Sequence, residues 1–162
     1  MIKVNIRKAV KSDAASILFL IRELAIFEKE PQAVIVTEVQ IERDGFGDRP
    51  LFECFLAEVG DKVVGMALYY PRYSTWKGPT FHLEDLIVTE PMKGNGIGTQ
   101  LYNAFLEHAY DTGVNRVEWA VLDWNFPAIK FYQKSGASIS DDWRSVQMDK
   151  KSIDKYISKI NS

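Results

Sequence analysis

The chain has 162 residues, enough for one domain with a self-sustaining core. Its 46% hydrophobic and 12% aromatic content excludes a disordered chain, and 20 basic against 22 acidic residues, a formal charge of −2, argues against a protein that lives on nucleic-acid phosphates. A single cysteine, Cys54, excludes an internal disulfide framework and a cysteine-based zinc site.

Residues 2–7 alternate apolar and polar and read as a strand rather than a targeting peptide. No run approaches the ~20 apolar residues of a membrane helix, and the absence of a secretory pattern points to the cytoplasm. A helix follows with Ser12 or Asp13 as N-cap and an apolar stripe of Ile17, Leu20, Ile21, Leu24 and Phe27. Thr37 and Gln40 have capping-box spacing for a short helix to Asp44, and residues 45–48 punctuate the chain. Residues 51–59 and 62–70 around Gly60-Asp61 predict a hairpin. Residues 72–79 read as a loop carrying Tyr73, Trp76 and Lys77, 80–88 as a strand, 91–98 as a glycine-rich turn and 99–110 as a helix closed by Gly113. A strand over 116–122 precedes a short helix capped by Asn125 or Asp123, with Pro127 in its first turn. Residues 143–148 alternate as a last strand, and 150–160 form an amphipathic helix with Ile153, Tyr156, Ile157 and Ile160 on one side. No repeat or linker interrupts this order, which predicts one mixed α/β (α+β) domain over 1–162.

The sharpest motif is Lys93-Gly94-Asn95-Gly96-Ile97-Gly98-Thr99, between the apolar run Leu86-Ile87-Val88 and a helix. Three glycines in five residues let backbone approach a ligand, and the free N–H groups and positive dipole end of the helix favour an anion such as a pyrophosphate. The dinucleotide fingerprint fails, because its last glycine would fall on Thr99 or Leu101. The P-loop fails as well, because no lysine follows Gly98.

The segment resembles the pyrophosphate loop of the GNAT acetyltransferases, with Lys93 where that family has arginine or glutamine. The resemblance extends over nearly the whole chain to the diamine (spermidine/spermine) N-acetyltransferase family. It is carried by residues 20–25, Phe27-Glu28-Lys29, Asp44-Gly45-Phe46-Gly47, Leu83-Glu84-Asp85, Asp123-Trp124-Asn125, Phe131-Tyr132 and Gly136-Ala137. Residues 73–78 and 120–125 are most similar to the thialysine N-epsilon-acetyltransferase subgroup. The resemblance implies a GNAT fold: a mixed, mostly antiparallel sheet of six to seven strands flanked by helices, with splayed middle strands. It also implies a homodimer, acetyl-CoA as co-substrate, no metal, no nucleic acid and no membrane.

The resemblance further implies direct attack of a primary amine on the thioester. Cys54 has no adjacent histidine and lies in an apolar strand, in keeping with the absence of an acyl-enzyme. Lys93 to Thr99 would hold the pyrophosphate, the edge of Leu86, Ile87 and Val88 would pair with pantetheine, and Asn125 and Ala128 would complete the cofactor site. Lys130 or Lys134 would meet the 3′-phosphate, where polyamine enzymes have a basic residue in place of Ser135. Tyr132 matches the general acid. A phenol near 10 against a thiolate near 8.5 makes full proton transfer uphill by roughly 2 kcal/mol, so Tyr132 is either shifted or mainly a hydrogen-bond donor to sulfur. Glu84 is expected to attract the ammonium and take its proton through water, on the same face as Leu86 by strand alternation. Phe27, Glu28, Glu118, Trp119 and Asp141 are the remaining substrate candidates, with Asp142 an alternative to Asp141; Arg72 and Lys77 could meet an amino-acid carboxylate. A peptide acetyltransferase or a non-catalytic acetyl-CoA-binding regulator are the alternatives on this scaffold.

Overall fold

The computed structural model describes residues 2–161. The chain separates into two units, one reaching Leu122 and one starting at Asp123. The first contains β1 (Asn5–Lys8), a 3-10 turn (Lys11–Asp13), α1 (Ala14–Phe27), α2 (Glu38–Phe46), β2 (Glu53–Val59), β3 (Lys62–Ser74), β4 (Gly78–Val88), a second 3-10 turn (Glu90–Met92), α3 (Ile97–Thr112) and β5 (Arg116–Glu118). The sheet runs β1-β2-β3-β4-β5; the first four strands are antiparallel and β5 is parallel to β4.

Alternation along β2 sends Cys54 and Leu56 to one face and Phe55 and Ala57 to the other. The first face packs on Ile17 and Leu20 of α1 and Ile41 of α2. The second packs on Leu101 and Phe105 of α3. Gly65 of β3 is a close contact in this packing. A Cβ there would lie 2.7 Å from the Ile87 carbonyl oxygen and 3.1 Å from Leu101 Cδ1. Gly65→Ala should therefore lower stability by about 1–3 kcal/mol, read as an earlier denaturant midpoint at unchanged slope; an unmoved midpoint would show that this contact relaxes freely.

Local signals hold well. Thr37 and Gln40 form the capping box, with the Gln40 N–H donating to Thr37 Oγ1 at 3.3 Å and the Thr37 N–H donating to Gln40 Oε1 at 2.9 Å. Gly113 closes α3 at φ 78°. The second unit holds α4 (Phe126–Lys134) and α5 (Lys150–Ile160), capped by Asn125 and Asp149.

Several expectations need correction. The first strand is Asn5–Lys8. The Asp13 side chain does not cap α1: it accepts from the Val10 N–H at 2.7 Å and from Arg7 at 2.7 and 2.9 Å. The loop expected over 72–79 is a continuation of the β3–β4 hairpin, paired down to Ser74 opposite Gly78. Ser74 Oγ accepts from the Trp76 and Lys77 N–H groups, and Gly78 takes φ 85°, so the turn needs only three residues. Among the described residues the sheet has five strands, not six or seven. The strand expected over 116–122 stops at Glu118, and residues 143–148 form none. Alternation gives a strand only where a neighbour completes its ladder, and no ladder forms over 143–148 among the described residues.

Candidate active site

The site is built on the point where β4 and β5 part. Their pairing covers only Thr80–His82 against Arg116–Glu118. Beyond His82, β4 runs on to Val88 with β3 on one side and, among the described residues, no strand on the other. That edge offers the ladder groups a strand-like ligand can use. Just past the parting, Asp85 faces Leu68 and Leu83 faces Tyr69, which leaves Glu84 as an extra, bulged residue. Bulges twist a strand and re-aim its side chains. The bulge overturns the simple alternation expected for Glu84 and Leu86. Leu86 joins the α3 face, whereas Glu84 accepts from Tyr70 Oη at 2.9 Å beside His82, which stacks on Tyr70 at 5.2 Å.

Three carboxylates meet here. Glu28 closes α1, with the Lys29 N–H donating to the Ile26 carbonyl and the Glu30 N–H to the Ala25 carbonyl; Lys29 takes φ 63°, a left-handed turn that a non-glycine residue rarely adopts. Burial, and then the charge of Glu84, pushes the Glu28 carboxyl up. Burial, and then Glu84 and Glu28, pushes Asp85 up to about 7. Tyr70 is pushed up to about 12 by burial and by its bond to Glu84, so it stays a donor. Ion-pair and hydrogen-bond donors from the chain leave Asp85 unmatched among the described residues, so the cluster favours a cation. The sign for stability follows. The folded Asp85 holds its proton above the pH at which the unfolded carboxyl releases it, so folding loses stability as pH rises from about 4 to about 7. Asp85→Asn should therefore melt higher than the parent at pH 8, with the gap closing toward pH 4; an equal gap at both pH values would contradict this.

Beside Tyr70, a cavity of about 400 Å³ is lined by Ile41, Asp44, Phe52 and Leu68 among others, and its walls are mainly apolar. Glu23 of α1 accepts from Thr89 Oγ1 at 2.9 and 3.0 Å and from the Glu90 N–H at 2.9 Å, which ties α1 to the end of β4. Lys93 Nζ pairs with Glu90 and lies 4.9 Å from the centre of the Phe27 ring. Phe27, Glu28 and the glycine loop are thereby brought to one end of the sheet.

The loop itself is a cradle. Gly94 and Gly96 take φ 80° and 74°, and an added Cβ at either would meet no atom within 4 Å. The first bond inside α3 is Gln100 N–H to Gly96 O at 3.1 Å, so the N–H groups of Ile97, Gly98 and Thr99 precede it. No side chain caps this terminus and no acidic residue lies in its first turn. Asn95 Nδ2 donates to the Met92 and Lys93 carbonyls and shapes the turn. A pyrophosphate-bearing ligand fits these features.

Glu118 and Trp119 sit at the other end of the open edge. Glu118 pairs with Arg72 and, at 2.7 Å, with Arg116, so its charge is already met. Trp119 packs edge-on to Tyr102 at 5.8 Å on the α3 face. Cys54 is buried, and burial pushes its thiol up, the reverse of an activated nucleophile.

In the second unit, Asn125 Oδ1 accepts from the Ala128 N–H at 3.4 Å, which fixes the start of α4, and Tyr132 is its buried residue. Lys130 and Lys134 lie on the same helix, and Asp141 and Asp142 are exposed in residues 137–149, which carry neither helix nor strand. Sequence reasoning missed Tyr70, His82, Asp85 and Glu23. Tyr70 and His82 matter because they are register partners, a pairing no local pattern encodes. Asp85, adjacent to Glu84 in an apolar strand, was the one visible signal: a second charge where burial makes charge costly. Among the described residues no group of three His, Cys, Asp or Glu side chains is arranged to hold a metal, and no helix is long and apolar enough to cross a membrane.

Comparison with known proteins gives a family. The profile of the acetyltransferase (GNAT) family matches residues 18–137. A thialysine N-epsilon-acetyltransferase of Mus musculus is 39% identical, covering 92% of this chain and 94% of that protein. A spermidine/spermine N(1)-acetyltransferase-like protein 1 of Homo sapiens is 36% identical over 92% of this chain, which spans 23% of that longer protein. Among solved structures, an aminoglycoside acetyltransferase from a soil metagenomic sample has the same fold at a TM-score of 0.75, with 18% identity and 90% and 95% of the two chains covered.

Proposed function

The chain belongs to the GNAT acetyltransferase family and is an N-acetyltransferase, and on that premise we propose that its acceptor is the primary amine of a small cation: a thialysine- or lysine-like amino acid, or a di- or polyamine. The observation that carries this reading is the cluster of Glu28, Glu84 and Asp85 at the bulge on the open edge of β4. The names of the two relatives point the same way. The mainly apolar cavity beside Tyr70 offers room for the methylene chain of such an acceptor.

An alkylamine with a pKa near 10.4 is only about one part in a thousand neutral at pH 7.4, a penalty of about 4 kcal/mol for the attacking form. Glu84 attracts the cation and then accepts its proton, directly or through one water. Glu28 and Asp85 add to the field that holds the ammonium, with Phe27 and Glu118 beside the acceptor path and Trp119 and Asp141 as further contacts. Acetyl-CoA is the second substrate. Residues Lys93 to Thr99 bind its pyrophosphate, the Leu86–Val88 edge pairs with its pantetheine, and a backbone N–H of that edge stabilises the developing oxyanion. Asn125 and Ala128 add to the donor site, Lys130 or Lys134 meets the 3′-phosphate, and Tyr132 donates to the departing sulfur. In this reading residues 1–162 act as one domain, in a cytoplasmic homodimer.

Release of free CoA tests the reading, with thialysine, lysine, putrescine and spermidine each as sole acceptor. Saturable release with at least one supports it. Saturable acetyl-CoA binding with no release from any would instead favour a non-catalytic acetyl-CoA-binding regulator.

A further inference from the structure

His82 is placed between two carboxylates, and nothing in the proposed chemistry so far uses it. Its Nε2 lies 3.6 Å from Glu84 Oε2 and its Nδ1 lies 3.5 Å from Glu118 Oε1. The side chain is 18% exposed, against 51% for Glu84. The ring is held flat against Tyr70, 28° from parallel, and the Tyr70 hydroxyl donates to the same Glu84 oxygen that faces His82. Glu118 is fixed in turn by Arg72 and Arg116. His82 Nδ1 is buried without a hydrogen-bond partner, and the Glu118 Oε1 that faces it is the oxygen paired with Arg72. Both gaps are slightly long for a hydrogen bond, and such contacts tighten when a substrate is bound.

We propose that His82 is a positioning residue that fixes the Glu84 carboxylate and takes over the proton Glu84 removes from the acceptor amine. The inference rests on the amine-acetyltransferase reading. Neutral imidazole offers one N–H and one lone pair. With the N–H on Nδ1 aimed at Glu118, the lone pair of Nε2 faces Glu84. The acceptor N–H bond breaks as an O–H bond forms on Glu84. That O–H then breaks as Nε2–H forms, leaving an imidazolium between two carboxylates and a Glu84 again negative. Glu118 orients the ring, the logic of a base held by a third group. The proton returns to water through Glu84, which is half exposed. The charged and titratable groups around the relay are Tyr70 and Arg72 from β3, Glu84 from β4, and Arg116 and Glu118 from β5. Glu28 and Asp85 act on it through Glu84.

The test uses the full chain with an acceptor that supports CoA release. His82→Gln keeps the size and polarity of the side chain but cannot carry the proton. It should lower kcat about tenfold or more, leave KM for acetyl-CoA unchanged, and remove one ionisation from the pH–rate profile. In His82→Ala, added imidazole should restore turnover, while adding nothing to the parent enzyme. Full turnover with an unchanged pH profile in His82→Gln overturns the proposal. A loss of turnover with an unchanged profile and no imidazole rescue does so too, since a purely structural role predicts that pattern. Should the variants fail to fold, the parent protein decides through its two imidazoles, His82 and His108, assigned by difference with His108→Gln. The His82 ring signals should respond to saturating acceptor, and no response overturns the proposal. A parent enzyme that releases no CoA with any of the amines removes the underlying functional reading, a different outcome from an active parent with an indifferent His82.

Discussion

Replacing Tyr132 with phenylalanine should lower turnover about a hundredfold and leave acetyl-CoA affinity unchanged. The leaving group is a thiolate, and the negative charge that grows on sulfur exists only as the thioester breaks. A donor aimed at that sulfur acts on the transition state rather than on the bound substrate, so kcat falls and binding does not. General-acid assistance contributes typically 10²–10⁴-fold, and a hydrogen bond to a charged group about 1.5–3 kcal/mol. Both descriptions of Tyr132, as acid or as donor, therefore predict a large effect. The exchange removes one oxygen and keeps the ring of α4's buried residue, so the helix that Asn125 caps stays intact. Steady-state rates and calorimetric acetyl-CoA titration measure the two quantities. Turnover within twofold of the parent would remove the assignment.

Glu84→Gln should lower kcat/KM for the amine by about 10²–10³ at pH 7.4, with a deficit that shrinks as pH rises. Glutamine preserves the shape of the bulge and can still accept from Tyr70, but it neither attracts an ammonium nor takes its proton. The pH trend is the sharper part. Below about 10.4, each unit rise in pH yields about ten times more free amine, and free amine needs no base. Between pH 7.4 and 9.4 the variant should thus recover relative to the parent. A constant deficit across that range would assign Glu84 a purely structural role at the bulge.

Much of the scaffold is legible in short stretches of sequence, because caps and glycines act locally. Thr37 with Gln40, Asn125 before Pro127 and Gly113 after α3 all mark their boundaries. The glycine loop is legible for the same reason: Gly94 and Gly96 are needed where the backbone turns left-handed. Strand extent is another matter. Residues 116–122 are rich in strand formers and 143–148 alternate, yet only Arg116–Glu118 pairs, because pairing depends on a distant partner. The candidate site divides along the same line. Glu28, Glu84 and the loop stand out through family resemblance. Tyr70 and His82 do not, because their relation to Glu84 arises only when β3 pairs with β4 in this register. The slip at Glu84 is a one-residue event that reverses which face a side chain takes, and no periodicity in β4 announces it.

In the proposed reaction, acetyl groups pass from acetyl-CoA to the amine of a small cation held by Glu28, Glu84 and Asp85. Its most direct test is one competition assay, in which the enzyme, acetyl-CoA, thialysine, spermidine and a lysine-containing peptide are mixed and the products are identified by mass. The account predicts acetylated thialysine or acetylated spermidine, with the peptide unmodified. Acetylated peptide with both small amines untouched would contradict it.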